Sequence, residues 1–376
     1  MIGQFVKLAL KAGAGLLLLS LAAAIVWRFW PADTLQVKRL GQDGYVDMHV
    51  HLAGLGNGCE DCYVHPDLMN NLRFPFFLRA MDVTEEELIT IGDQVVVQRL
   101  VEKLRGAASV RGAVVLAMDG VVDEAGQLDL ASTQLYVPNT YVASQAAAYD
   151  ELFYGASINP YRPDAIERLI AAVDQGAVLI KWIPAIQYID PDDPVITPFY
   201  QKMRELDLPL LSHAGQERSF ANARDEFSDP RKLRLPLDLG LTVIAAHIGT
   251  TGEYDQTPSY QQLLPMFEEY PNLFADISSL TQINKLGYLE NALAQTNLSS
   301  QLIYGSDWPL QMFPLVHPIY HWPSITLGRA RAIANLDNPW DRDIALKQAL
   351  GVPEDVFQRS AALLKISPVP ADSAGQ

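Results

Sequence analysis

Between residues 45 and 304 the chain alternates eight short apolar runs with seven helical stretches, and this alternation restricts its fold more than any other property. The runs are Tyr45–Val50, Gly112–Met118, Tyr154–Ile158, Val178–Ile183, Pro209–Ser212, Leu241–Ala246, Leu273–Ile277 and Gln301–Tyr304, short and rich in β-branched or aliphatic side chains. The intervening helical patterns are Thr84–Arg105, Asn139–Leu152, Pro163–Gln175, Pro198–Leu206, Asp229–Leu239, Ser259–Tyr270 and Asn284–Thr296. Strands separated by helices require right-handed crossovers and a parallel sheet. Eight such units predict an α/β fold, a closed (β/α)8 TIM barrel rather than an open doubly wound sheet. No G-x-G-x-x-G or P-loop follows any run, which removes the usual phosphate-cradling alternatives. Two long insertions, Ala53–Asp82 and Gly120–Pro138, fall after the first and second runs, on the side where barrel enzymes build their sites.

Of the 376 residues, 49% are hydrophobic, enough for a sizeable core. With 28 Lys and Arg against 44 Asp and Glu, the net charge of −16 excludes a basic nucleic-acid binder, and two cysteines exclude a disulfide scaffold. The charge is unevenly placed. Residues 1–40 carry Lys7, Lys11, Arg28, Lys38 and Arg39 against Asp33 alone, so the rest of the chain holds the acidity.

From Leu8 to Trp27 the only charge is Lys11, and twenty residues at helical rise span about 30 Å, a bilayer's hydrocarbon core. Lys7 and Lys11 before it, and Trp27, Arg28, Phe29 and Trp30 after it, suit a basic flank and an aromatic belt. The expectation is a transmembrane helix or signal anchor at 8–27 after a flank at 1–7, then a linker at 28–43, the barrel domain at 44–367 and a tail at 368–376. The chain would then be a single-pass membrane protein with its catalytic domain periplasmic or otherwise extracytoplasmic. A cleaved signal peptide ending near Ala22-Ala23-Ala24 is the competing reading.

Four of the seven histidines fall at the ends of predicted strands: His49 and His51 in Asp-Met-His-Val-His-Leu, His213 in Ser-His-Ala-Gly and His247 in Ala-His-Ile-Gly. Asp307, in Gly-Ser-Asp-Trp-Pro, follows the eighth. Residues i and i+2 of a strand share a face, so His49 and His51 project together. An H-x-H pair alone is weak, since two polar residues ending a strand would explain it. Joined by two further histidines and an aspartate at other strand exits, it predicts a divalent-metal site with an open position, which imidazole and carboxylate donors suit to Zn²⁺.

These motifs resemble the amidohydrolase superfamily, specifically its amidohydrolase-2 branch of metal-dependent hydrolases and decarboxylases, over about residues 44–367. The resemblance implies that His49, His51, His213 and Asp307 bind the metal. It further implies that His247 polarises the substrate or orients the attacking water, and that Asp307 also accepts that water's proton. Lys181, at the fourth strand's exit, matches the lysine that is carboxylated and bridges two metals in binuclear members. One ion is the favoured reading, with two, or a Lys181 contact to substrate, left open.

The expected activity is hydrolysis of an ester, lactone or amide carbonyl. A non-oxidative decarboxylase of the same fold and a non-catalytic, metal-stabilised binding module are the alternatives. The expected partner is a small-molecule substrate, with no nucleic acid, and homo-oligomerisation stays open. Asp119, Glu217 and Arg218 are candidate substrate contacts, and Asn159 a candidate for the floor of the site. Cys59 and Cys62 are expected as a disulfide outside the cytoplasm or as two thiols within it. His317 and His321 lie among Pro314, Pro318 and Pro323, in a loop rather than a helical metal pair.

Overall fold

Each of the eight predicted strands forms, with ends shifted by one or two residues. They are β1 (Tyr45–His51), β2 (Val110–Leu116), β3 (Leu152–Ala156), β4 (Ala177–Trp182), β5 (Leu210–His213), β6 (Val243–Ala246), β7 (Leu273–Asp276) and β8 (Leu302–Ile303). A computed structural model describes residues 26–296 and 298–367. The strands make one parallel sheet in the order β1 to β8. The sheet closes on itself just past β8, where Asp307 N donates to His49 O at 3.0 Å, His51 N to Trp308 O at 3.0 Å, and Val50 bridges Trp308 in parallel. The fold is therefore a (β/α)8 barrel.

Strand side chains sort by face. Val46, Met48, Val114, Leu116, Leu179, Leu211, Ile244 and Ile303 fill the barrel interior, and Leu364 and Ile366 join them after the last helix, Glu354–Leu363. The opposite faces pack against the surrounding helices in a larger core that contains Trp182, Trp308 and Trp340. The predicted helix Thr84–Arg105 divides into Glu85–Thr90 and Gln94–Gly106. Gly92, at φ 102°, breaks it, and the carboxylate of buried Asp93 turns back to accept from the backbone N–H groups of Leu55, Gly56 and Asn57. This junction anchors the first insertion over the barrel mouth. Ser259–Tyr270 likewise divides, into Ser259–Leu263 and Met266–Glu269 about Pro265.

The membrane expectation needs correction. Among the described residues no helix is long and apolar enough to cross a membrane. The predicted span 8–27 lies outside the described residues except for Val26 and Trp27, which begin a short helical stretch at 26–29. The single-pass localisation with an extracytoplasmic domain is accordingly withdrawn. Nor is 28–43 a free linker: Asp33 N donates to Gly328 O at 3.1 Å, Leu40 N to Ala108 O at 2.8 Å, and Arg331 Nη2 to Arg28 O at 3.3 Å. The predicted tail, 368–376, also lies outside the described residues.

Candidate metal centre

β1 begins the site with a departure from strict alternation. Val46 and Met48 both point into the barrel, so an unbroken strand would aim His49 outward with Asp47. A register shift between Asp47 and Val50 turns His49 inward, and both His49 and His51 line the cavity at the strand exits. Asp47 stays on the outer side, accepting from Trp340 Nε1 at 2.7 Å and Ser306 N at 2.9 Å. Burial pushes its carboxyl up to about 6, against those hydrogen bonds.

Three donor atoms converge. His49 Nε2 lies 3.1 Å from His51 Nε2, and Asp307 Oδ1 lies 3.7 Å from the first and 3.3 Å from the second. His49 Nδ1 pairs with Asp276 Oδ2 at 2.8 Å, so it carries the ring proton and leaves Nε2 as a lone pair aimed at the cavity. Lys181 Nζ also reaches His49 Nε2, at 3.1 Å. His213 lines the same cavity, but its ring nitrogen falls outside the His49–His51–Asp307 group. Its Nε2 is buried without a hydrogen-bond partner and lies 3.6 Å from Glu217 Oε2. A buried nitrogen without a partner beside converging lone pairs is an arrangement that a cation completes, and the donor set fits a divalent metal.

His247 sits between these groups, its ring centroid 5.2 Å from that of His49 and 5.3 Å from that of His213. Its Nδ1 pairs with Ser278 Oγ at 2.7 Å and its backbone N donates to Asp276 Oδ1 at 2.8 Å. Ser279 Oγ donates to Asp307 Oδ2. His247 (φ 55°), Ser279 (φ 58°) and Asp307 (φ 64°) all adopt the left-handed backbone conformation, which costs a non-glycine residue about 1–2 kcal/mol. The bonds from Asp307 N and His247 N hold two of them there.

Protonation follows burial. His49 is driven down to about 4, by desolvation first and then Lys181, with Asp276 opposing. Burial also lowers His213 and His247, and brings Lys181 down to about 8. For Asp276 and Asp307 burial acts upward, but the neighbouring histidines outweigh it and hold both carboxylates ionised. The centre at neutral pH is therefore neutral imidazoles facing carboxylates. Because the folded pKa of His49 lies below its unfolded value near 6.5, protons favour the unfolded chain. Stability is expected to be complete above about pH 6.5 and to fall by on the order of 3 kcal/mol as pH drops towards 4, read from denaturant midpoints at each pH.

Of the predicted substrate contacts, Glu217 and Arg218 line the cavity, Glu217 buried and Arg218 at the exposed rim. Asp119 does not. Its carboxylate takes both Arg162 Nε at 2.8 Å and Nη2 at 2.6 Å, plus Asn159 N at 2.8 Å, all buried, so it ties two loops instead of meeting substrate. Asp119→Ala should cost about 3–5 kcal/mol in thermal unfolding by stranding Arg162, with bound metal unchanged in the protein that remains folded. Asn159 bonds Gly120 O and Gln187 O and likewise belongs to this brace. Cys59 and Cys62 form a disulfide. His317 and His321 cap a short turn and meet Thr281 O respectively, away from the centre.

Sequence reasoning missed Asp276, Ser278, Ser279 and Lys285. Asp276 ends β7 in Ala-Asp-Ile-Ser-Ser, so the strand-exit argument that selected Asp307 applies to it equally. Lys285 ends a 3-10 turn, Ile283–Lys285, ahead of the helix Tyr288–Ala294 that forms within the expected Asn284–Thr296, and it carries no strand-exit signal. Gly305, on the β8 exit, was also passed over; a Cβ there would stand 2.9 Å from His49 Cβ. Gly305→Ala should cost about 1–3 kcal/mol and lower metal occupancy by moving His49, checked by melting and metal analysis.

A barrel with histidines and aspartates gathered at its strand exits defines the class, and the sequence comparison agrees. Residues 46–323 match the amidohydrolase family model of the amidohydrolase-2 branch, and the chain belongs to that family. A search of curated proteins finds no match. Among solved structures, a TIM-barrel protein of uncharacterised function from Bordetella bronchiseptica aligns at TM-score 0.52 and 16% identity, covering 86% of this chain and 99% of its own. A protein from Pseudomonas putida assigned as a 2-pyrone-4,6-dicarboxylic acid hydrolase aligns at TM-score 0.50 and 15% identity, covering 86% and 97%. The 5-carboxyvanillate decarboxylase of Sphingomonas paucimobilis aligns at TM-score 0.46 and 11% identity, covering 86% and 99%. At such identities the first two likenesses concern the fold alone.

Proposed function

We propose that this chain is a metal-dependent hydrolase of an ester, lactone or amide carbonyl. One divalent ion, zinc by donor chemistry, would be held by His49, His51, Asp307 and His213. The observation that carries this reading is the meeting of two imidazole lone pairs with an ionised carboxylate beside His213 Nε2. When bound, such an ion polarises a carbonyl and lowers the pKa of water. The chain's own residues do the rest. Asp307, ionised and beside the donors, accepts the proton of the attacking water. His247, its Nδ1 engaged by Ser278, leaves Nε2 for the substrate's carbonyl oxygen as charge develops there. Asp276 holds His49 in the required tautomer. Lys181, which reaches His49 Nε2 while that lone pair is free, would yield it to the ion in the one-ion reading and turn to the substrate; carboxylation of Lys181 would mark a two-ion site instead.

Decarboxylation on the same centre is the second reading, favoured by Lys285, a cation in the cavity suited to a carboxylated substrate. The test is turnover of aryl esters, lactones and aryl carboxylates by Zn²⁺-loaded and chelated protein in ¹⁸O-water. Metal-dependent release of an acid carrying ¹⁸O supports hydrolysis. CO₂ release from the carboxylates with the esters untouched would replace it by decarboxylation.

A further inference from the structure

His49 on β1 and Asp307 just past β8 meet across the seam where the barrel closes, and a carboxylate facing away from the cavity touches the backbone beside both. From Asp47 to Val50, β1 advances three residues while β2, from Ala113 to Val115, advances two, so one residue of β1 has no ladder partner. At this bulge the backbone N of His49 donates to Asp47 Oδ1 at 3.1 Å. A side-chain acceptor two residues back offers that N–H an alternative to the sheet, and so favours the bulge over a straight strand.

The same oxygen accepts from Ser306 N at 2.9 Å. Ser306 stands between Gly305, where a Cβ would lie 2.9 Å from His49 Cβ, and Asp307, held in the left-handed conformation at φ 64°. The other oxygen, Oδ2, accepts from Trp340 Nε1 at 2.7 Å, out of the helix Pro339–Ala349.

The chemistry of this cluster requires a carboxylate. Asp47 is fully buried, and the described residues offer it no cation at ion-pair distance. Burying a charge in that way is costly, and the number of donors explains why it is kept. N–H groups converge on it from β1, from the β8 exit and from the outer helix, and they need an acceptor oxygen on each side. Asparagine has one oxygen, so its NH₂ would confront either the indole or the two backbone donors.

Resting on the reading that His49 and Asp307 hold the metal, we infer that Asp47 is a positioning residue for both. Through Oδ1 it sets the bulge that aims His49 into the cavity, and it fixes the turn that presents Asp307. Without it a straight β1 would direct His49 outward, and Ser306 N would lose its anchor next to a strained backbone.

Two measurements on the full chain test this: Zn²⁺ affinity by competition with a chelator of known affinity, and the visible spectrum with Co²⁺ bound, which reports ligand geometry. Asp47→Ala should weaken Zn²⁺ about 10- to 100-fold and shift the Co²⁺ bands. Asp119→Ala is the comparison, because it also deletes a buried, hydrogen-bonded carboxylate but touches no strand end that carries a proposed ligand. It should leave both metal readouts within about twofold of the parent while melting lower. A folded Asp47→Ala with parental affinity and spectrum overturns the inference. So does an equal loss of affinity in Asp119→Ala, which would trace the effect to general loosening. If Asp47→Ala does not fold, Asp47→Ser, whose hydroxyl can accept from His49 N alone, is read in the same way. Failure of both to fold assigns Asp47 to stability only and also overturns the inference. A parent chain that binds no Zn²⁺ would instead remove the metal reading itself.

Discussion

Asp307→Asn is expected to lower turnover by about 10²–10⁴-fold while the barrel melts within about 1 kcal/mol of the parent. The substitution conserves shape. Asn tolerates the left-handed backbone that Asp307 occupies at φ 64°, its amide oxygen can still accept from Ser279, and the backbone bond to His49 O is untouched. What disappears is the negative charge between His49 and His51 and the capacity to take a proton. An enzyme loses rate and keeps its fold. A metal-stabilised binding module would instead lose thermal stability together with its metal, so kcat, melting temperature and metal content measured on one preparation separate the readings. Full turnover in the Asn variant would remove Asp307 from the chemistry.

Asp276→Ala should cost about 3–5 kcal/mol of stability, as much as Asp119→Ala, and should disturb the metal centre as well. This carboxylate is fully buried, and its loss strands the Nδ1–H of His49 and the backbone N–H groups of His247 and Ser278. The His49 proton is then free to move to Nε2, where it blocks the lone pair aimed at the cavity. Asp276→Asn keeps the shape and returns part of the hydrogen bonding, so it should melt closer to the parent yet bind metal about 10- to 100-fold more weakly. Competition with a chelator of known affinity checks this. Unchanged metal affinity in Asp276→Asn would show that His49 orientation does not depend on the carboxylate.

The barrel was legible because its units are local. Each strand is a short β-branched run, each helix carries its own periodicity, and the right-handed crossover rule orders the units without knowledge of long-range contacts. Motifs at strand exits were legible for the same reason, since the exit is where a barrel gathers residues distant in sequence. The structure places His49, His51 and Asp307 together and His213 and His247 on the same cavity. Asp276, at the end of β7, occupies an equivalent strand-exit position.

Other features had no local signature. Asp119 stands at a strand exit like the others, but Arg162 lies 43 positions further on, and only the folded chain reveals that the two neutralise each other. The inward turn of His49 depends on a register shift against β2, a property of pairing rather than of β1 alone. The segment 28–43 reads as polar linker because its partners Ala108, Gly328 and Arg331 are far along the chain. The sequence by itself determined the eight-unit barrel and which residue types reach its mouth, since both follow from periodicity and chain-local geometry. Tertiary structure alone decided which of those residues act together and which are spent on structure. Charge pairing, tautomer and burial are set by neighbours across the barrel, and the bonds that Asp47 makes to both His49 and Ser306 become visible only when the sheet has closed.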